Sequence, residues 1–291
     1  MIQLPYFDAI LAACRHDETD VIRSFGDNVH WGYWDDPTAA DGSVDDFVLA
    51  SDAMTRKVCA AAGIRDGLTV LDAGCGFGGT VASINARFER MTLTGLNIDP
   101  RQIARARHNV AARPGNTIDF VVEDACQLPF ADRSFDVVMA VECIFHFPSR
   151  LRFLREARRV LRPGGALMVS EFVAPARTFA RLVLAGLPNL RTIQGFYGDD
   201  IPIPPSSYQV LARLARLGLP TVLDISRNVL PTFPVVLDLV DKFPIGERGQ
   251  RSARFATELI ARMSERGWMR YQVFTFRAPG AAPSNHRKDR P

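Results

Sequence analysis

Val70-Leu71-Asp72-Ala73-Gly74-Cys75-Gly76-Phe77-Gly78-Gly79 is the stretch on which the fold turns. It opens as a short apolar strand and then holds four glycines in six residues, ahead of a helical pattern. Glycines are needed there because the backbone turns tightly and a ligand approaches it without Cβ atoms in the way. Gly74, Gly76 and Gly79 also satisfy GxGxxG, so by itself the loop admits a dinucleotide. Asp72 narrows the choice. Its carboxylate stands at the head of the loop, where a ligand ammonium fits and a pyrophosphate does not.

Working outward, strand-like runs alternate with helical patterns, the rhythm of a parallel sheet. Leu68–Asp72 is followed by Met91–Asn97, Ile118–Val122, Phe135–Val141 and Ala166–Phe172. Asp99-Pro100 reads as a helix N-cap with proline at the first helical position. Leu151, Leu154, Ala157 and Leu161 share one face of a helix that Pro163-Gly164-Gly165 is expected to end. Upstream, Phe47, Met54, Val58 and Ala61 mark an amphipathic helix, with Ser43 and Asp46 at its start. Downstream the rhythm breaks over 175–205, then resumes with a helix near 208–217, a strand near 221–226 and a last strand, Tyr271–Phe276.

Four ordered motifs resemble class I S-adenosylmethionine (SAM)-dependent methyltransferases: Asp72-x-Gly74-x-Gly76-x-Gly78; Thr94-Gly-Leu-Asn97-Ile-Asp-Pro100; Glu123-Asp124-Ala125 with Leu128-Pro129-Phe130; and Phe135-Asp136-Val137-Val138 running into Glu142, with Leu161-Arg-Pro-Gly-Gly165 beyond. The resemblance implies an α/β, doubly wound, mostly parallel seven-stranded sheet with N-terminal helices and a lid inserted after the fifth strand. It implies SAM as cofactor. Asp72 would organise the loop around the methionine ammonium, and Gly74, Cys75, Gly76 and Gly78 would let backbone meet the methionine and ribose. Asn97 stands where a ribose-binding carboxylate is usual and lacks its charge-assisted strength. Ile98 and Gln102 follow it, Asp124 and Ala125 would meet the adenine, and Glu142 closes the set. Asp136 is read as structural and Asp99 as a cap.

After the fourth strand the chain has Glu142-Cys-Ile-Phe-His146-Phe-Pro148 in place of the Asn/Asp-Pro-Pro-aromatic loop tied to amino methylation of DNA bases. That resembles the small-molecule branch, including natural-product O-methyltransferases and tocopherol and quinone methyltransferases. His30-Trp-Gly-Tyr33-Trp34 matches a stretch found upstream in that branch, so Tyr33 either closes over the cofactor or packs in an aromatic cluster. His146 is the candidate general base for an O-methylation, and Glu171 is a candidate to orient it or touch the acceptor. In C- or N-methylation, the alternative, Glu142 or Glu171 would serve as proton acceptor or cation stabiliser. A SAM-binding protein without transferase activity is the reading from another class. Phe145 is placed near the sulfonium.

The composition is that of an ordinary globular enzyme, 47% hydrophobic and 23% charged over 291 residues. A net charge of +3 with no basic run outside the tail gives no reason to expect a nucleic acid. Five scattered cysteines without CxxC spacing argue against disulfides and a zinc site, and fit a cytoplasmic setting. No carboxylate/histidine cluster has metal-ligand spacing, and no run is long enough for a membrane span. The expected organisation is a helical cap over 1–44, a methyltransferase domain over 45–278 with an acceptor lid at about 174–206, and a disordered tail over 279–291. Phe179, Leu182, Leu187, Leu190, Phe196, Ile201 and Ile203 make that lid apolar. The partner is a small-molecule acceptor, and the sequence is silent on oligomeric state.

Overall fold

The computed structural model describes residues 5–178 and 202–280. Most of the expected lid and the tail from 281 onward lie outside them, including every lid residue named above except Ile203.

Seven strands form one sheet: β1 (Thr69–Ala73), β2 (Thr92–Asn97), β3 (Thr117–Val122), β4 (Phe135–Val141), β5 (Leu161–Val173), β6 (Thr221–Asp224) and β7 (Arg270–Arg277), in the order β3-β2-β1-β4-β5-β7-β6. All neighbours pair in parallel except at β7, which runs against both β5 and β6. Each interior strand is buried on both faces, which explains its nearly continuous apolar run. Along β4, Val138 and Ala140 enter one core layer while Val137 and Met139 enter the other.

One layer lies beneath α6 (Arg150–Val160) and α7 (Pro205–Leu214), with Phe153, Leu154 and Ala157 against Leu71, Leu167 and Phe274. The other lies beneath α3 (Val44–Ala62), α4 (Gly79–Arg87) and α5 (Pro100–Asn109), where Met54, Ile84 and Ile103 meet Val70, Leu93 and Met168. Fully burying one such side chain is worth roughly 1.5–3 kcal/mol. The predicted caps are present: Ser43 accepts from the Asp46 amide, and Asp99 accepts from the Arg101 amide with Pro100 at the helix start. Asp136 is structural, as expected; it accepts from the Thr69 amide and pairs with Arg162 at 2.5 Å.

Three features depart from the expected outline. Pro163-Gly164-Gly165 falls within β5, because the chain leaves α6 directly into pairing with β4 and slips register between Phe135 and Val137. Two helices, α8 (Thr232–Val240) and α9 (Gly246–Glu265), lie between β6 and β7, where no element is expected from the sequence. The N-terminal helices α1 (Pro5–Arg15) and α2 (Thr19–Phe25) also share a core with the other elements. Phe7, Ile10 and Phe25 pack with Phe47, Phe77, Val236, Leu239 and Phe243. Phe77 belongs to the glycine loop, so this cluster sets α1 directly over the C-terminal edge of the sheet.

Candidate active site

The strand order reverses between β1 and β4, and a cleft of about 840 Å³ opens there, outside the strand ends. Its floor is the glycine loop. Gly74 and Cys75 donate their amides to the Leu96 carbonyl at 2.7 and 2.9 Å, which ties the loop to β2. Gly74 has φ +87°, and a Cβ there would lie 2.6 Å from the Cys143 Sγ. Gly76 has φ +55°, but a Cβ there would meet no protein atom within 4 Å. Gly74 is a packing requirement; Gly76 lines open cleft.

Asp72 is 2% exposed, and neither carboxylate oxygen has a hydrogen-bond partner. Burial alone pushes its pKa up to about 7. A buried, unpaired carboxylate at a cleft wall is costly unless a cation meets it. At the end of β2, Asn97 accepts from the Asp99 amide and donates to Gln102 at 3.0 Å each. At the end of β3, Asp124 accepts from the Cys126 amide at 2.7 Å. Asn97, Ile98, Gln102, Asp124 and Ala125 all line the cleft.

Glu142 follows β4 with φ +49°, a conformation that an L side chain adopts only when its surroundings fix it. Its Oε1 accepts from the Trp31 amide at 3.0 Å and from the Tyr271 hydroxyl at 2.5 Å. Burial pushes its pKa up to about 8, against the opposing pull of those two donors. His146 follows in a single 3₁₀ turn (Ile144–His146). Its Nε2 is hydrogen-bonded to the Tyr6 hydroxyl of α1 at 2.8 Å, and its ring centroid lies 4.2 Å from that of Phe145. Burial, and secondarily the charge of Arg150, lower its pKa to about 4. The imidazole is therefore neutral, with a lone pair, at physiological pH.

A second cavity of about 630 Å³ adjoins the first. Tyr6, Val29, His30 and Glu142 line both. The rest of its wall is mainly apolar, from Ile10, Phe25, Trp31, Phe145, Val236 and Phe243.

A methyltransferase-domain family model matches residues 71–169, the span from the strand before the glycine loop into β5. The methyltransferase GfsG of Streptomyces halstedii is 35% identical over 237 residues, covering 80% of this chain and 81% of its own. The O-methyltransferase resE of Aspergillus sclerotiorum is 31% identical over 86% of this chain and 89% of its own. The chain belongs to the SAM-dependent methyltransferases. Its fold matches the mycolic acid cyclopropane synthase CmaA1 complexed with SAH and CTAB, with a TM-score of 0.75 at 16% identity, over 94% of this chain and 99% of that one.

The methyltransferase's cleft suits SAM on its own chemistry. The unpartnered Asp72 oxygens match an ammonium, open space over Gly76 admits ligand against backbone, and the Asn97, Gln102 and Asp124 side chains offer polar atoms for a nucleoside. Three expected site residues are placed elsewhere. Tyr33 is buried, donates to Asp35 at 2.9 Å and carries the Lys57 ammonium 4.6 Å above its ring, so it packs and does not line the cleft. Gly78 caps α4 with φ +87°; a Cβ there would crowd Phe120 and Ala106, which makes its role one of helix–sheet packing. Glu171 is 0% exposed and does not line the cleft; it pairs with Arg150 at 3.0 Å and accepts from the Tyr208 hydroxyl. Phe145 lines the second cavity and not the cleft.

Tyr6, Phe7, Asn28, His30 and Thr80, none of them expected in the site, also line the cleft. His30 is buried, bonds to Thr55 Oγ1 at 2.9 Å and has its pKa lowered to about 4, mainly by burial. Of the upstream aromatic stretch, His30 lines both cavities, Trp31 lines the second, and Tyr33 lines neither.

Proposed function

We propose that this methyltransferase methylates a hydroxyl group on a small, largely apolar molecule of natural-product type, and that His146 receives the hydroxyl proton. The observation that carries this reading is a neutral imidazole on the wall of the cofactor cleft, hydrogen-bonded through Nε2 to Tyr6, a residue that lines both cavities. The name of the relative resE, an O-methyltransferase, supports the oxygen assignment.

When bound, the cofactor supplies an electrophilic methyl on a sulfonium; its transfer breaks the C–S bond and leaves a neutral thioether. The protein's part is to hold the hydroxyl oxygen in line with that methyl and to take the proton as the new O–C bond forms. In-line placement is worth roughly 7–11 kcal/mol. The Tyr6 hydroxyl holds Nε2 at 2.8 Å, so an acceptor hydroxyl would pass its proton to His146 by displacing Tyr6 or through it. A pKa near 4 makes His146 a weak base, so its share falls toward the lower end of the usual range, about 10²-fold.

One observation favours a second reading, C- or N-methylation with Glu142 as proton acceptor: the pKa of Glu142, about 8, lies closer to neutrality. Turnover of His146→Gln separates them. The proposal predicts a fall of about 10² in kcat with SAM affinity retained; full turnover in that variant would overturn the role of His146.

A further inference from the structure

The second cavity has a composition that selects its guest. Five aromatic rings and three aliphatic side chains build most of its wall, and among its described residues there is no lysine or arginine. His30, at the seam, keeps its imidazole neutral because burial disfavours the charged form. The polar atoms concentrate at the end shared with the cofactor cleft, where Glu142 is the one carboxyl group among the described lining residues. Trp31 and Tyr271 occupy its Oε1, leaving Oε2 for a guest. The strained backbone at Glu142 is what brings the carboxyl group to this seam.

We propose that this chamber is the acceptor site, and that it takes a neutral hydrophobic molecule whose hydroxyl group is held by Glu142. The inference rests on the methyl-transfer reading and adds to it a location, a chemical class and a specificity residue. An anionic acceptor, such as a carboxylate or a phosphate ester, would bring unpaired negative charge into an apolar chamber against the Glu142 carboxyl, a strongly unfavourable burial. An ammonium would have to shed its hydration and also ionise a carboxyl group that the site keeps protonated. A hydroxyl both donates and accepts, as a protonated carboxyl does, so the two satisfy one another without charge. The apolar wall then takes the hydrophobic body.

The test uses three probes of one shape on the full chain saturated with S-adenosylhomocysteine: 2-naphthol, naphthalene-2-carboxylate and 2-(aminomethyl)naphthalene, titrated calorimetrically at neutral pH. The alcohol should bind about tenfold or more tightly than either charged probe. Val236→Trp, which fills the chamber from α8 without touching the cofactor cleft, should weaken the alcohol by about tenfold or more and leave S-adenosylhomocysteine affinity within about twofold. Val236→Phe, a smaller intrusion, should give an intermediate loss, which keeps the test informative if the tryptophan variant folds poorly. Unchanged alcohol binding in both variants, or none in the parent at millimolar concentration, would overturn the site. Tighter binding of the carboxylate or the ammonium would overturn the class. Failure of S-adenosylhomocysteine itself to bind would instead undo the underlying methyltransferase reading.

Discussion

Asp72 links the chemistry of the cleft to pH. Alone in the folded protein it titrates at about 7, raised by burial; a bound ammonium should pull it back into the ionised range. Binding must then release a proton below pH 7, and affinity for S-adenosylhomocysteine should fall about tenfold per pH unit there. Calorimetry in buffers of different ionisation enthalpy reads that proton directly. Asp72→Asn should abolish the pH dependence and weaken binding by about 1.5–3 kcal/mol, the range for a hydrogen bond to a charged group; a variant with undiminished affinity would show that the carboxylate is not the anchor. His146 has the opposite signature. With its pKa lowered to about 4, the acidic limb of kcat should lie well below the ordinary imidazole value of 6.5. At this scale the sequence was informative where chemistry is local. Asp72, Gly76, Asn97 and Asp124 sit at strand ends that follow from the parallel rhythm, whereas Glu171 looked available at a strand end and is buried, because Arg150 and Tyr208 come from other elements to cover it.

Among the elements, the glycine loop separates two roles that one motif had combined. Gly76→Ala should weaken S-adenosylhomocysteine by about tenfold or more, since its Cβ points into open cleft. It should cost only about 1–2 kcal/mol of stability for the left-handed backbone. Gly74→Ala should chiefly unfold the protein, because its Cβ runs into Cys143. Thermal melts beside calorimetry on the same two variants check the contrast, and equal loss of binding without loss of stability in both would refute it. The α6–β5 contact behaves as structure too. Its Arg150 and Glu171 side chains are 9% and 0% exposed, so Glu171→Gln breaks a buried ion pair, at a cost of about 3–5 kcal/mol in urea unfolding. S-adenosylhomocysteine affinity should hold; lost turnover at full stability would return Glu171 to the chemistry. The α1 helix shows why elements were harder to place than strands. Nothing in Tyr6-Phe7 states that a partner lies 140 positions away; the contact exists because the Phe7–Phe77 core docks α1 over the sheet edge.

Across the whole molecule, the parallel half of the sheet was legible because each buried strand is an apolar run closed by turn residues, in a fixed order. The carboxy-terminal third was less so: α8 and α9 are defined by what they pack against, including the N-terminal helices, and local pattern does not carry that. Four buried groups, Asp72, Glu142, His30 and His146, shape the pH response around neutrality. Asp72 and Glu142 bind protons more tightly folded than unfolded, so the stability they confer is full below their unfolded values of 3.8 and 4.5 and is lost as pH rises through about 7 and 8. His30 and His146 act in reverse, costing stability as pH falls from 6.5 through about 4. The two effects oppose one another in mild acid, which leaves a net fall in melting temperature from pH 6.5 to about 8 in the cofactor-free protein. Saturating S-adenosylhomocysteine should flatten that slope by ionising Asp72, and a melting temperature that rises over the same interval would contradict the assignment. The central claim is that two adjoining cavities bring a hydroxyl to the methyl of SAM. It is tested most directly by a single turnover with SAM carrying a ¹³C-labelled methyl, run on a hydroxyl-bearing hydrophobic acceptor and read by carbon NMR. One labelled methoxy resonance is expected, equal in amount to the S-adenosylhomocysteine released. A label that appears on carbon or nitrogen, or S-adenosylhomocysteine formed with no labelled product, would contradict it.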